Sequence, residues 1–232
     1  MIRYQNVKIG YTLRESMLML IRHATMEDLD AIEAIEAACF PPQEAASNES
    51  LTARVATYPN HFWLLVNDDD DDTRFPASVY DGTLVGFVNG MATNIPDLDD
   101  AMYEDASVHD SQGEWQMIFG VCIAPVYQHR GCASYLLRQV ILDSTMAGRK
   151  GIVLTCKERL VGFYSRLGFM DEGISSSTHG NVAWHQMRLP LMHAVTGEIS
   201  SSAAYADDNE NPSAASVSPD TDTLEFPVVE AR

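Results

Sequence analysis

The stretch WQMIFGVCIAPVYQHRGCASYLLRQVIL, residues 115–142, decides the fold because it combines a buried strand, a short turn and an amphipathic helix. Its first part, residues 115–125, is an apolar run that ends in proline, which is typical of a central strand. After the turn QHRG, apolar residues recur at helical spacing. They are Ala133, Leu136, Leu137, Val140 and Ile141. The sequence therefore predicts a strand–turn–helix unit here.

The turn in this unit has the chemistry of an anion site. A helix N-terminus carries unpaired backbone N–H groups and a partial positive charge, and residues 129–134 would supply those donors. Gly131 allows a phosphate to approach the backbone without a Cβ in the way. The turn lacks both the G-K-S/T of a Walker loop and G-x-G-x-x-G. A phosphate cradle and a polar turn with glycine for geometry both remain open on local chemistry.

Strand and helix patterns alternate on both sides of this unit. Strands are predicted at residues 16–24, 62–66, 83–93 and 151–156, with a last one ending near 189. Helices are predicted at 26–39, around 50–57, and around 160–167. The alternation predicts an α/β domain over residues 16–193, with parallel neighbours in its sheet. Residues 1–15 are predicted to be an N-terminal extension, 67–76 an acidic loop and 194–232 a disordered acidic tail.

The net charge of −18 is unevenly distributed. The run DDDDD at 68–72 contributes five negative charges, and residues 194–232 contribute a net seven. This balance argues against nucleic acid as a partner and favours cationic partners such as amines. Calcium sites need alternating ligands with a turn glycine, so we predict no metal at the aspartate run.

Cysteine usage and hydropathy point to a soluble cytoplasmic protein. The four cysteines (39, 122, 132 and 156) lack C-x-x-C spacing, which suits a reducing compartment. No apolar run approaches the roughly 20 residues that a membrane helix needs. The sequence is compatible with a monomer or a dimer.

Three separated motifs, in order along the chain, carry a resemblance to a known family. Gln128-x-x-Gly131-x-Ala133 resembles the acetyl-CoA signature of the GNAT acetyltransferases, and LTCKERLVGFYSRLGF (154–169) is similar to their closing strand and helix. CFPPQEAASNESLTARVATYPNHFWLLV (39–66) resembles the start of the arylalkylamine N-acetyltransferase-like branch. GEWQMIFGV and STHGNVAWHQM are similar to a microbial and protist subgroup of that branch.

The resemblance implies a mixed central sheet that splays at the cofactor site, with helices on both faces and acetyl-CoA as the cosubstrate. It places the pyrophosphate at the turn and the pantetheine arm along the preceding strand. The implied contacts are Val121, Cys122, Ile123, Gln128, His129, Arg130, Gly131, Cys132, Ala133 and Ser134. Cys122 has a competing interpretation as an acyl-accepting nucleophile, but a small buried apolar residue is the expected role.

Tyr164 is the predicted catalytic residue, because the matched motif places it where the departing thiolate needs a proton. A tyrosine at a core edge with a paired hydroxyl is the alternative. Animal members of the branch carry a His-x-His pair as base, and the corresponding residues here are Met117 and Phe119. The sequence therefore does not identify the residue that takes the proton from the amine.

Four residues are candidates for the acceptor side. Glu44, His109 and His179 could replace the missing base, although each could also be an ordinary helix-start, surface or turn residue. Trp184 is the aromatic residue expected to line the pocket. The sequence predicts acetyl transfer to a primary amine by direct attack. Alternatives are an N-terminal or lysine acetyltransferase of proteins, and a non-catalytic acyl-CoA-binding scaffold.

Overall fold

The computed structural model describes residues 7–11, 15–67, 84–177 and 179–191, and these form one eight-stranded sheet with helices packed on it. The strands are β1 (Val7–Tyr11), β2 (Glu15–His23), β3 (Phe62–Asn67), β4 (Leu84–Thr93), β5 (Trp115–Ile123), β6 (Gly151–Cys156), β7 (Met170–Ile174) and β8 (His185–Pro190). The α-helices are α1 (Leu29–Cys39), α2 (Asn48–Thr57), α3 (Ala101–Glu104), α4 (Cys132–Met146) and α5 (Val161–Ser165).

The strand order is β1-β2-β3-β4-β5-β6-β8-β7, so the sheet is open and mixed. Among the described strands only β5 and β6 pair in parallel, with α4 as the crossover between them. The other described pairs are antiparallel. The predicted mixed sheet is confirmed, whereas parallel pairing is confined to one central pair. The reason is that β1 to β5 run as successive antiparallel neighbours.

The helices cover both faces of the sheet. Across β3, β4 and β5, the row of residues through Val121 contains Trp63, whose indole N–H donates to Asp143 of α4 at 2.7 Å. The adjacent residue Cys122 points to the opposite face, where its thiol contacts Glu36 of α1. Helices α1 and α4 therefore lie on opposite faces of β5, as predicted.

Two strands were not predicted. Residues 7–11, inside the expected N-terminal extension, form β1 and pair with β2. Strand β7 has four exposed residues of five, so it lacks the apolar alternation that would reveal it. The long segment between β4 and β5 holds α3 and a short 3₁₀ turn at Ala106–Val108, and neither was predicted. The aspartate run and the expected acidic tail lie outside the described residues.

Candidate functional site

The central feature of the candidate site is a wedge between the two parallel strands. β5 and β6 pair from Trp115–Gly151 to Ile118–Leu154, and their pairing ends there. β5 then continues through residues 119–123, of which residues 120–123 pair only with β4 among the described strands. One backbone edge of this segment is therefore available to an extended ligand, since strand edges present unpaired N–H and C=O groups. Val121, Cys122 and Ile123, predicted to hold the pantetheine arm, lie in this segment.

A β-bulge interrupts the pairing of β4 with β5 close to the wedge. The register between β4 and β5 shifts between Asn89 and Gly90, which leaves Phe119 without an opposite residue. A Cβ on Gly90 would lie 1.8 Å from the carbonyl oxygen of Met117. Only glycine fits at this bulge without moving backbone. The bulge next to the wedge therefore depends on a glycine in β4 opposite β5.

The turn after β5 is tied to the end of that strand. The side-chain amide of Gln128 donates to the carbonyl of Ile123 at 2.9 Å, which closes the turn onto the strand. His129 has φ 60° and Gly131 has φ 80°, so two of three successive residues adopt a left-handed backbone. His129 and Arg130 are exposed. Gln128 therefore shapes the turn, and the exposed cationic and imidazole groups face solvent at its tip.

Helix α4 begins directly at this turn. Gly131 is its N-cap, and Cys132, Ala133 and Ser134 form the first turn, whose N–H groups have no partner within the helix. Burial raises the pKa of the Cys132 thiol, while nearby Arg130 acts in the opposite direction. A protonated thiol, small side chains and free amides at the positive end of a 15-residue helix suit an anion such as a pyrophosphate.

Tyr164 lies fully buried on α5, and its hydroxyl has no hydrogen-bond partner among the described residues. The rings of Phe163 and Phe169 pack at 5.0 and 5.7 Å from it. Burial, followed by the nearby thiols of Cys156 and Cys122, raises its pKa well above the usual value of tyrosine. A neutral hydroxyl, with one donor unused and one thiol on each wedge strand nearby, can donate to a sulfur atom there.

A buried carboxylate under β5 was missed by the sequence analysis. Glu36 is 2% exposed, accepts from the backbone N–H of Ala46 at 2.8 Å, and accepts from the Cys122 thiol at 3.2 Å. Burial, together with Cys39 and Glu36, raises the Cys122 pKa well above its usual value. A protonated thiol is a poor nucleophile, which disfavours an acyl-enzyme on Cys122. The signal in the sequence was a Glu on the face that α1 buries.

Three of the four predicted acceptor-side residues lie together. The Glu44 carboxylate forms an ion pair with Lys157 at 2.8 Å, and the Lys157 ammonium lies 5.6 Å from the Trp184 ring centre. The Trp184 indole donates to the backbone carbonyl of His179 at 2.8 Å. The His179 ring lies 3.4 Å from the backbone oxygen of Glu44. The segment after α1 and the segment before β8 therefore touch each other over this region.

Aromatic rings lead from this cluster to the wedge. The Tyr103 ring lies 5.5 Å from His179 and 4.9 Å from Phe119, and its hydroxyl is 3.4 Å from that of Thr155 on β6. The buried Arg54 guanidinium stacks 4.9 Å from the Phe119 ring. Tyr103, Lys157 and Arg54 were not singled out from the sequence. Nothing local distinguishes them, since their importance comes from contacts distant along the chain.

His109, the fourth candidate, lies elsewhere. Its ring is 4.8 Å from those of Tyr58 and His61, and its Nδ1 accepts from the N–H of Ala92 at 3.2 Å. Burial lowers its pKa, followed by the charge of Arg149. Ala92 pairs with Gln116 near the start of β5, at the end of the strand remote from the turn. His109 is therefore apart from the cluster of Glu44, His179 and Trp184.

Within the described residues, no His, Cys, Asp and Glu side chains are grouped as a metal site requires. In the same part of the chain, no helix has the length and apolar character to cross a membrane.

Comparison with known proteins identifies a family. The model of the Acetyltransferase (GNAT) family matches residues 29–169. The fold is similar to that of the GphF GNAT-like decarboxylase solved with isobutyryl-CoA (24% identity, 74% of this chain, 99% of that chain, TM-score 0.61).

Two further solved structures are similar. The loading GNATL domain of CurA from Lyngbya majuscula has 17% identity, covers 74% of this chain and 97% of its own, and has a TM-score of 0.60. The ribosomal-protein-S18-alanine N-acetyltransferase from Escherichia coli has 18% identity, coverages of 78% and 98%, and a TM-score of 0.52. At these identities the likeness establishes the fold alone. No curated protein sequence matches the chain.

Proposed function

The chain belongs to the GNAT acetyltransferase family, and we propose from this premise that it transfers an acetyl group from acetyl-CoA to a small primary amine. The observation that carries the proposal is the buried, unpartnered hydroxyl of Tyr164 beside the wedge between β5 and β6. We also propose that the chain belongs to the arylalkylamine N-acetyltransferase-like branch of the family, which the sequence motifs indicate.

Acetyl-CoA supplies an activated acetyl carbon on a sulfur leaving group. The N–H groups at the start of α4, with Gly131 at the N-cap, would hold its pyrophosphate. The free edge of residues 119–123 would hold the pantetheine arm in the manner of an added strand. These are fixed backbone donors, so little reorganisation accompanies the reaction.

Tyr164 would donate its phenolic proton to the departing sulfur. Its raised pKa keeps the proton on oxygen throughout the neutral range, and the hydroxyl has no competing acceptor among the described residues. As the C–N bond to the amine forms and the C–S bond breaks, the proton passes from the Tyr164 oxygen to sulfur. The excess proton of the attacking amine passes to a base or water, and a proton from solvent then restores the Tyr164 hydroxyl.

The acceptor side favours a small amine with an apolar or aromatic body. Glu44, Gly180 and His179 close over this side, since a Cβ on Gly180 would lie 2.7 Å from the Glu44 side chain. Tyr103, Phe119 and Trp184 are buried and supply the aromatic packing beneath this side. Within this proposal His179 is the base candidate that the geometry favours. The Glu44 carboxylate is already paired with the Lys157 ammonium, and His109 lies away from the acceptor side.

The contact between the segments of Glu44 and His179 also helps to distinguish the two alternative functions, a protein acetyltransferase and a non-catalytic acyl-CoA-binding protein. An N-terminal or lysine acetyltransferase needs an open groove for a chain, and the contact between the segments of Glu44 and His179 covers that side. A non-catalytic acyl-CoA-binding protein would have no use for an unpartnered buried hydroxyl at the wedge, because leaving it unsatisfied costs stability. Turnover with small amines against basic peptides, at equal concentrations, distinguishes the three.

Tyr164→Phe tests the acid role. We expect kcat to fall about 100-fold or more, with little change in KM for acetyl-CoA and with unfolding stability equal or higher. Tyr58→Phe is the matched control, because its hydroxyl is also buried without a partner in the described structure and it lies away from the wedge. Full kcat in Tyr164→Phe across the pH range would reject Tyr164 as the acid. Absence of thermal stabilisation by acetyl-CoA would reject the wider proposal.

A further inference from the structure

A cavity lies at the opposite end of the sheet from the candidate active site. It has a volume of about 300 Å³, is partly open to solvent, and is bordered by the end of β2, the start of β3, the start of β5 and the last turns of α4. Gln116 lines it, whereas Cys122 lies in the wedge six residues further along the same strand. At about 3.3 Å per residue the two sites are roughly 20 Å apart. Helix α4 therefore presents its N-terminus to one site and its C-terminal turns to the other.

Opposite charges line this cavity. Arg149 is 6% exposed, and its guanidinium donates to the backbone carbonyl of Gly113. It makes no other hydrogen bond to the described residues, although a guanidinium has five N–H donors. The Asp143 carboxylate accepts from the indole of Trp63 at 2.7 Å and from Gln139 at 2.8 Å. Each carboxylate oxygen has a further lone pair, so both charged groups retain hydrogen-bonding capacity.

Neutral polar groups complete the lining. The Ser144 hydroxyl is buried and has no partner in the described structure. The side-chain N–H groups of Gln116 donate to the carbonyls of Met91 and Met117, so its oxygen accepts from Nδ1 of His61 at 2.8 Å. His61 is thereby fixed as the Nδ1–H tautomer, and its Nε2 is an acceptor. An unsatisfied buried hydroxyl costs free energy that a bound ligand would recover.

We propose that this cavity is a binding site for a small zwitterion, whose carboxylate pairs with Arg149 and whose ammonium group faces Asp143. Several features support this class. The volume is at the lower limit for ligand pockets, which restricts the ligand to amino-acid size. A buried arginine recognises carboxylates well because its planar fork matches their geometry. The C-terminal end of α4 adds partial negative charge beside Asp143, which favours a cation there.

The test is isothermal titration of the full chain with glycine and β-alanine, with acetate and methylamine as single-charge probes. We expect saturable binding of at least one zwitterion and at least tenfold weaker binding of both single-charge probes. Arg149→Gln should weaken zwitterion binding at least tenfold. Equal binding of acetate would show a plain anion site and overturn the proposal, as would absence of any saturable binding.

Two substitutions on α4 separate this site from a folding effect. Ser144→Leu fills the cavity and should abolish binding, whereas Met146→Leu adds the same residue type at a position that is 78% exposed and should leave binding unchanged. An amino acid is itself an amine, so Trp184→Phe is included. If Trp184→Phe weakens zwitterion binding and Ser144→Leu does not, the ligand occupies the acceptor side and the proposal fails. The readout is binding, so it is independent of acetyl transfer.

Discussion

At the scale of single residues, the ion pair between Glu44 and Lys157 has an asymmetric environment. The Glu44 side chain is 3% exposed and the Lys157 side chain is 20% exposed. A buried charge that loses its partner costs far more than an accessible one, because water cannot replace the lost interaction. The two residues should therefore respond differently to substitution.

Lys157→Met should destabilise the protein by about 3 kcal/mol or more, since it leaves the Glu44 carboxylate buried without its cation. Glu44→Gln should cost less, because the Lys157 ammonium can reach solvent. Urea unfolding of both variants at pH 7 measures the difference. The double variant should recover part of the loss. Strict additivity of the two effects would show that the pair is not coupled.

At this scale, the sequence indicated a residue's role only where a local motif surrounds that residue. Tyr164 was singled out because a family motif surrounds it, and Gly131 because it precedes a predicted helix start. Lys157 and Tyr103 were missed, since what distinguishes them is a contact with Glu44 or His179, more than 50 positions away along the chain. Met117 and Phe119 were predicted to stand where the branch carries its histidine pair, and both are buried in an apolar cluster. The sequence could suggest a role for a single residue, whereas it could not show which residues contact each other.

At the scale of elements, helix α4 carries a left-handed glycine next to each end. Gly131, at its N-cap, has φ 80°, and Gly148, just past its C-cap, has φ 72°. Replacing either by alanine forces a Cβ into a conformation that costs about 1 kcal/mol or more. The two positions differ in what they face, because only Gly131 lies at the turn proposed to hold the pyrophosphate.

Gly131→Ala should lower stability and also raise the KM for acetyl-CoA by about tenfold, since the loop must both bend and admit an anion. Gly148→Ala should lower stability by a similar amount and leave that KM unchanged. Thermal unfolding and initial-rate kinetics on both variants provide the comparison. A KM that rises equally in the two variants would attribute the effect to general destabilisation.

Elements with strong periodicity were predicted well. β6 was located at Gly151–Cys156, and α4 was identified from five apolar residues on one face. The strands that were missed, β1 and β7, are edge strands of five residues, and such strands are held by pairing with one neighbour. The bulge at Gly90 could not be predicted from the sequence. A glycine in an apolar strand does not show which part of the neighbouring backbone will lie close to it.

At the scale of the whole molecule, three histidines lie at the remote end of the sheet. Burial, with smaller contributions from Arg149, His109 and His23, lowers the pKa of His61 to about 3. Burial also lowers the pKa values of His23 and His109. Each remains neutral in the folded state at a pH where the unfolded chain binds a proton. These three histidines therefore make the folding stability sensitive to acid.

Folding stability should consequently fall as the pH decreases below about 6.5, the ordinary pKa of histidine. Where the unfolded state binds more protons than the folded state, stability rises with pH, so the loss extends from pH 6.5 towards 3. At pH 5 the contribution of His61 alone is about 2 kcal/mol, obtained from the 1.5-unit distance to its unfolded pKa. Urea unfolding between pH 8 and pH 5 measures this slope.

His61→Asn isolates that contribution, since an asparagine amide can donate to Gln116 as His61 does but does not titrate. The variant will be less stable at pH 8 because the cavity enlarges, so the comparison concerns the slope and not the absolute value. We expect the loss of stability between pH 8 and pH 5 to be smaller in the variant by about 2 kcal/mol. A residual slope should remain from His23 and His109. An unchanged slope would mean that His61 gains its proton at the same pH in the folded and unfolded states, so that burial does not lower its pKa.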